Sequence, residues 1–304
     1  MLGAATGVFN LEVVLYYNWL ADELGVDTIS AGNTIAWFLE LVEDGLIDPR
    51  EHGFNAKGFG DEEAVLRLLE MIAYRRGVGA ILAEGVWRAS KILGVGEDKA
   101  VHVKGLEAPA WDPRGRRALG VSYATADVGA SHLRGWPRPH EPPTTGPARE
   151  LVPSMARSRD RDSVMDTMGI CRFVSYPLSA VIDFIGAATG WRPSEEELLL
   201  IPQRAEALAR IHDAIERLTP PLDDTVPKRW MEPIPEGPLK GVKAFLDWND
   251  LREAVREYYK IRGWDENLGV PLPGTLEKLG LHFAVEDAKL ALKLVRERLG
   301  GTPL

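Results

Sequence analysis

Leu11-Glu-Val-Val-Leu-Tyr-Tyr-Asn-Trp-Leu-Ala-Asp-Glu-Leu-Gly25-Val-Asp27 is the stretch whose reading decides the fold. Leu11, Val14, Leu15, Asn18 and Trp19 recur at i, i+3, i+4, i+7 and i+8, a helical period, and Gly25 follows as a stop. The pattern predicts a helix laid on a core along that stripe and a chain that reverses at the glycine. The same grammar repeats downstream. A second helix is expected from Asn33 to Asp44, closed by Gly45. Asp61 reads as an N-cap, with Glu62 and Glu63 in a first turn where the helix dipole favours acids, for a helix running to about Arg76. Gly77-Val-Gly79 breaks the chain before an amphipathic stretch from Ala80 to Leu93. Ser194-Glu-Glu-Glu197 reads as a capping box opening a short helix, and Pro202 suits the first turn of the next. Further helices are expected from Asn249 to Arg262 and from Val285 to Leu299. No stretch alternates with the period of a strand, so the expected fold class is mainly α.

Working outward, the chain has 304 residues, 45% hydrophobic and 27% charged, the profile of a soluble globular protein. A boundary is placed near residue 101, in a stretch rich in Gly and Pro, giving helical domains over 1–101 and 102–304. Prolines 137, 139, 142, 143, 147 and 153 predict a long loop between Trp136 and Pro153. The net charge of -9 argues against a nucleic-acid partner, because phosphate backbones reward clustered Lys and Arg. A single cysteine, Cys171, excludes an intrachain disulfide. No signal peptide opens the chain, and the early apolar run from Thr28 to Leu39 is too short to span a bilayer, so a cytoplasmic protein without a membrane partner is expected. The chain enters an apolar segment at once, which hints at an internal start.

The first stop is not unique. Asp22-Glu-Leu-Gly-Val-Asp27 recurs as Asp166-Thr-Met-Gly-Ile-Cys171. Each places Asp near a helix end and Gly where a turn needs a permissive φ. A carboxylate there can accept two N–H bonds from the flat amino-pyrimidine edge of a pterin, much as it accepts a guanidinium. The plain alternative for each is a solvated helix C-cap. A lone Cys is, by the same plain reading, a small buried hydrophobe.

Further segments stand with these motifs: Asp27-Thr-Ile-Ser-Ala-Gly-Asn-Thr-Ile-Ala36, Asp112-Pro-Arg-Gly115, Ser122-Tyr-Ala-Thr125, Ala130-Ser-His-Leu-Arg-Gly135, and Tyr258-Tyr-Lys-Ile-Arg-Gly-Trp-Asp265 followed by Gly269-Val-Pro271. In this order the chain resembles the helical, C-terminal part of the tungsten-pterin aldehyde:ferredoxin oxidoreductases, from residue 1 almost to its end.

The resemblance implies two helical domains that close over an N-terminal β-rich domain carrying tungsten, or molybdenum, on two molybdopterins. By that correspondence Asp22, Gly25, Val26 and Asp27 contact one pterin, and Asp166, Gly169 and Ile170 the other. Cys171 becomes one of four thiolates of a 4Fe-4S cluster. His132 matches a histidine near the metal, where an imidazole could donate to substrate oxygen or move a proton. Arg134 is a candidate pterin or phosphate contact, with a surface salt bridge as its alternative. The implied activity is oxidation of a small aldehyde to a carboxylic acid, with ferredoxin as electron acceptor.

The departures are large. No Cys-x-x-Cys-x-x-x-Cys and no N-terminal β domain are present, and the family's glutamate near the metal falls before Met1. One cysteine cannot hold a cluster that needs four donors. The leading expectation is therefore a fragment or split subunit, completed by the missing domain or a separate chain. The rival is a non-catalytic helical remnant or accessory subunit that binds a protein partner.

Overall fold

Helices carry this chain, as its periodicity predicts. The computed structural model describes residues 1–135, 146–171, 173–174 and 176–300, and among them fourteen α-helices alternate with short 3-10 turns. The one sheet among the described residues is a two-residue hairpin, His102–Val103 against Leu106–Glu107, joined in register His102 to Glu107. No helix of the described residues is long and apolar enough to cross a membrane.

The chain divides into two compact units. The first comprises Met1–Gly115, Val128–Ser131 and Val226–Ala244, and the second Arg116–Asp127, His132–Thr225 and Phe245–Leu304. Residue 101, where composition suggests a boundary, lies inside the first unit.

In the first unit the helices Leu11–Leu24, Thr28–Glu43, Glu62–Ala73 and Val86–Leu93 surround a core that includes Ile35, Phe38, Leu39, Leu68 and Leu69. The first helix does not face the way its Leu11–Trp19 stripe suggests. Leu11, Leu15 and Trp19 are 69%, 61% and 53% exposed, whereas Tyr17, Leu20 and Ala21 are buried with Val13 and Val14 beside them. Residues 14, 17, 20 or 21, and 24 make an equally regular helical row, so apolar content on both sides leaves the periodicity undecided. Tyr17 settles it by donating to the Glu62 carbonyl at 2.5 Å. Its burial pushes the phenol up to about 12.

The second helix begins at Thr28 rather than Asn33 because Asp27 caps it, accepting from the Ile29 and Ser30 amides at 3.4 and 3.0 Å. Asn33 is then a buried helical residue whose amide group donates to Val101 O and Ala108 O, at 3.2 and 2.9 Å, tying the helix to both flanks of the hairpin. Asp61 caps its helix as expected, accepting from the Ala64 amide at 3.1 Å. The stretch from Ala80 to Leu93 is two helices, Gly79–Leu82 and Val86–Leu93. They part at Gly85, where φ is 81° and a Cβ would stand 2.6 Å from the Glu107 carboxylate.

The second unit is built from Arg117–Thr125, Val152–Thr167, Leu178–Thr189, Glu195–Glu216, Trp248–Arg262 and Val285–Arg298. The Ser194 capping box forms reciprocally: Ser194 Oγ accepts from the Glu197 amide at 3.2 Å, and Glu197 accepts from the Ser194 amide at 2.7 Å. The helix it opens is the longest described, not a short one, because Pro202 lies inside it rather than starting another. Much of the loop expected from Trp136 to Pro153 (136–145) lies outside the described residues. Its end is helical instead: Ala148–Leu151 is a 3-10 turn, and Pro153 stands in the first turn of Val152–Thr167, where it forfeits no intrahelical bond.

Candidate functional site

The two Asp-x-x-Gly motifs fold into the same turn. In the first unit the Gly25 amide donates to Asp22 O at 3.2 Å and the Val26 amide to Ala21 O at 2.9 Å. In the second, the Gly169 amide donates to Asp166 O at 3.1 Å and the Ile170 amide to Met165 O at 2.9 Å. Both are Schellman ends, closed by a glycine at φ 67° and 68°. Both bury the same flank. Val26 packs on the core that holds Ala21, and Ile170 on the core that holds Met165, the hydrophobic contact that accompanies this cap. Both leave Asp22 and Asp166 on the exposed side of the helix end. Asp22 accepts one long bond, from Asn18 Nδ2 at 3.5 Å.

The sixth positions differ. Asp27 is exposed but engaged, its carboxylate capping the next helix. Cys171 is an exposed free thiol, which overturns the reading of it as a small buried hydrophobe. Among the described residues no group of three or more His, Cys, Asp and Glu could hold a metal ion. The described donors therefore do not make a cluster site by themselves.

His132, half-buried, begins a 3-10 turn that ends at Arg134. Arg134 is clamped by Asp127 through two bonds, Nε to Oδ1 at 2.9 Å and Nη2 to Oδ2 at 3.3 Å. This fork-on-fork geometry fixes the plane of the guanidinium. Arg134 and Asp166 line one cavity of about 150 Å³ in the second unit, together with Asp127, Ser163 and Thr167. The structure thus brings together two candidate residues that lie far apart in the sequence.

Beneath them lies a set of charges that the sequence reading does not single out. Arg159, Asp160 and Glu206 line the same cavity and are buried or nearly so. Arg159 Nη2 meets Glu206 Oε1 at 2.9 Å, and Arg262 Nε meets Glu206 Oε2 at 2.9 Å. Arg262 also grips Asp160 with both terminal nitrogens, at 2.9 and 2.6 Å. The Tyr258 hydroxyl donates to Glu206 and accepts from Arg262 Nε at 3.0 Å. Two cations thus meet two anions. Burial alone would raise the Glu206 carboxyl, but Arg159 and Arg262, helped by the Tyr258 hydroxyl, hold it below the usual carboxylate range. Burial chiefly, with Glu206 adding, raises the Tyr258 phenol against the pull of the two arginines, so it stays a neutral donor.

Arg210 repeats the theme nearby, meeting Asp224 at 3.0 and 2.9 Å while the Tyr259 hydroxyl donates to Asp224 at 2.6 Å. The segment Tyr258–Trp264 is therefore structural. It clamps the helix that carries Asp166 to the helices Glu195–Glu216 and Trp248–Arg262. The signal available in the sequence was the i, i+4 spacing of Tyr258 and Arg262.

Comparison with known proteins identifies the family. Residues 1–281 match the family model described as aldehyde ferredoxin oxidoreductase, domains 2 and 3. The chain is 36% identical over 294 residues to the tungsten-containing aldehyde ferredoxin oxidoreductase of Pyrococcus furiosus, covering 92% of this chain and 47% of the relative. The enzyme of the same name from Thermococcus kodakarensis gives the same figures. The aliphatic sulfonate oxidoreductase, WOR-like subunit, of P. furiosus is 32% identical over 98% of this chain and 46% of its own length. The chain thus spans about half the length of the curated relatives it matches. Among solved structures, the active site complex BamBC of benzoyl coenzyme A reductase shares the fold, with a TM-score of 0.70, 21% identity, and coverage of 96% of this chain and 48% of that one.

Proposed function

The chain belongs to the aldehyde ferredoxin oxidoreductase family, as its domains 2 and 3, and from that premise we propose that it grips two metal-bound pterins within a larger oxidoreductase. The observation that carries this reading is the recurring motif: two Asp-x-x-Gly-aliphatic stretches, one in each unit, fold to one hydrogen-bond pattern and leave the aspartate exposed. A pterin presents a planar edge of amino and ring N–H donors, and an exposed carboxylate on a rigid turn is a fitting acceptor for it. Asp22, Gly25, Val26 and Asp27 would face one pterin, and Asp166, Gly169 and Ile170 the other. Arg134, held flat by Asp127, would bind a pterin or its phosphate. The two compact units would correspond to the family's second and third domains.

When bound, the tungsten or molybdenum would supply the oxygen-transfer chemistry, by which an aldehyde and water yield a carboxylic acid, two protons and two electrons. This chain's part is to hold and orient. His132 would donate a hydrogen bond to the aldehyde oxygen or accept a proton as water is consumed. The electrons would pass to ferredoxin, and we place the assembly in the cytoplasm.

The 4Fe-4S cluster is a separate matter. Cys171 alone does not fit it, so the remaining three ligands would come from another chain or domain. The reading is thus of a fragment or split subunit, and a relative that is itself named a subunit supports it. The second reading, a non-catalytic accessory protein, is favoured by that same single cysteine.

The test is reconstitution with a chain that supplies the pterin-bearing domain and the missing cysteines. The proposal expects co-purified tungsten or molybdenum, its loss on Asp166→Asn, and loss of iron alone on Cys171→Ala. A complex that forms without metal, or keeps its metal in the Asp166→Asn variant, favours the accessory reading.

A further inference from the structure

The helix Trp248–Arg262 presents two adjoining rows toward one cavity of about 300 Å³ in the second unit. Leu251, Val255 and Tyr259, at i, i+4 and i+8, are buried and form its apolar floor. Trp248, Arg252 and Arg256, one position C-terminal or three N-terminal to these and again at i, i+4 and i+8, are exposed along its rim. Pro221 and Leu222 close the far wall, with Leu222 61% exposed at the mouth.

The two rim arginines differ from the three buried arginines of this unit. Arg159, Arg210 and Arg262 are consumed by buried carboxylates. Among the described residues Arg252 makes one contact, Nη2 to Asn249 Oδ1, at 3.5 Å, and Arg256 one, Nη1 to Glu253 Oε1, also at 3.5 Å. Each guanidinium offers five N–H donors in a fixed fork, so most of this capacity is unspent. Two carboxylates line the cavity. Asp224 is neutralised by Arg210 and held by the Tyr259 hydroxyl, which leaves Glu266 in the lining, and Glu253 beside Arg256, as the acids opposing an anion.

We propose that this cavity binds an amphipathic organic monoanion, its carboxylate or sulfonate held by Arg252 and Arg256 and its hydrocarbon body laid on Leu251, Val255 and Tyr259. Planar guanidiniums one turn apart suit a bidentate oxyanion, and the size is at the lower end of small-ligand pockets, about 300–1,000 Å³. A polyphosphate fits worse. The floor is apolar, no glycine-rich loop of amides lines it, and Glu266 would oppose each added charge. The site uses none of the residues proposed to face a pterin, so it stands whether or not that function does.

Calorimetric titration of the full chain with octanoate tests the assignment, with octanol and octylammonium as neutral and cationic controls of the same length. Saturable binding of octanoate at one site is expected, with both controls much weaker. Arg252→Gln with Arg256→Gln should weaken it about tenfold or more, since charge-assisted bonds are lost. Glu266→Gln should tighten it. Leu222→Asp, at an exposed position, should weaken it by setting a further carboxylate at the mouth. Absence of saturable octanoate binding overturns the proposal. So does octanol binding as tightly as octanoate, or a double variant indistinguishable from the parent.

Discussion

Replacing Arg262 by Met tests whether the buried charges beneath the Asp166 turn hold the second unit together. Arg262 contributes four contacts of 3.0 Å or less, one to Glu206, one to Tyr258 and two to Asp160. Methionine fills similar space but offers none of them. Glu206 keeps Arg159, at 2.9 Å, whereas Asp160 keeps only the uncharged Gln203 amide, at 3.1 Å, among the contacts described for it. One buried negative charge is left uncompensated, a loss of about 3–5 kcal/mol when the partner of a buried pair is removed. At about 2–4 °C per kcal/mol for a unit of this size, the midpoint should fall by about 6–20 °C. Thermal unfolding followed by far-ultraviolet circular dichroism measures it.

Two controls separate charge from packing. Asp160→Asn in the Arg262→Met background removes the orphaned charge and should recover a substantial part of the loss. The pH dependence gives the sign. The Glu206 carboxyl is held below its ordinary value by Arg159 and Arg262 against the opposing effect of burial, so its contribution is present at neutral pH. That contribution fades as pH falls from the unfolded carboxylate range through the lower folded value. An uncompensated carboxylate can also shed its cost by taking a proton. The gap between parent and variant should therefore be wider at neutral pH than at mildly acidic pH. A midpoint within about 2 °C of the parent, on the same scale, would refute the account of these arginines as structural clamps.

Three further outcomes follow from the described geometry. Gly25→Ala and Gly169→Ala should each destabilise by about 1–2 kcal/mol in urea unfolding, since a Cβ there meets nothing within 4 Å and only the left-handed backbone is penalised. Glu107→Ala should cost about 1–3 kcal/mol, because the Val86 amide, 2.6 Å from that carboxylate, is left buried without an acceptor. The isolated chain, analysed for iron, should carry no four-iron cluster, because Cys171 is its one cysteine.

Local signals were legible where the chain states its own rule. Asp61, and Ser194 with Glu197, pair a polar side chain with nearby backbone, and the two Asp-x-x-Gly stops close on a glycine, so a few residues suffice to read them. Legibility failed where distant residues decide. The first helix carries apolar side chains all round, and Tyr17, by reaching Glu62, selects the face that the period alone could not. Pro202 reads as a helix start, yet the helix runs through it. The charge network was invisible because Arg159, Asp160, Glu206 and Arg262 read individually as surface residues. Burial, the property that makes them matter, exists only after three helices meet.

The Asp-x-x-Gly turn itself poses a physical question that can be turned into a test. A Schellman end needs the glycine and an apolar residue after it, but nothing in it needs the aspartate. Gly263 closes the same turn with Lys260 at the equivalent position, where a cation suits the negative end of the helix dipole. Gly280 does so with Glu277, so an acid is tolerated there, but it is not favoured. Asp22 is thus a residue that its own helix would do better without. Removing its charge with Asp22→Asn should leave the isolated chain unchanged or more stable by about 0.3–1 kcal/mol, the usual size of a dipole interaction at low salt. In the reconstituted complex the same change should lower pterin and metal retention, because an amide cannot accept two N–H bonds from the pterin edge with charge assistance. Opposite signs in the two assays are what a ligand-gripping carboxylate produces. If Asp22→Asn instead destabilises the isolated chain and leaves metal content untouched, Asp22 belongs to the helix end alone, and the pterin reading loses its first anchor.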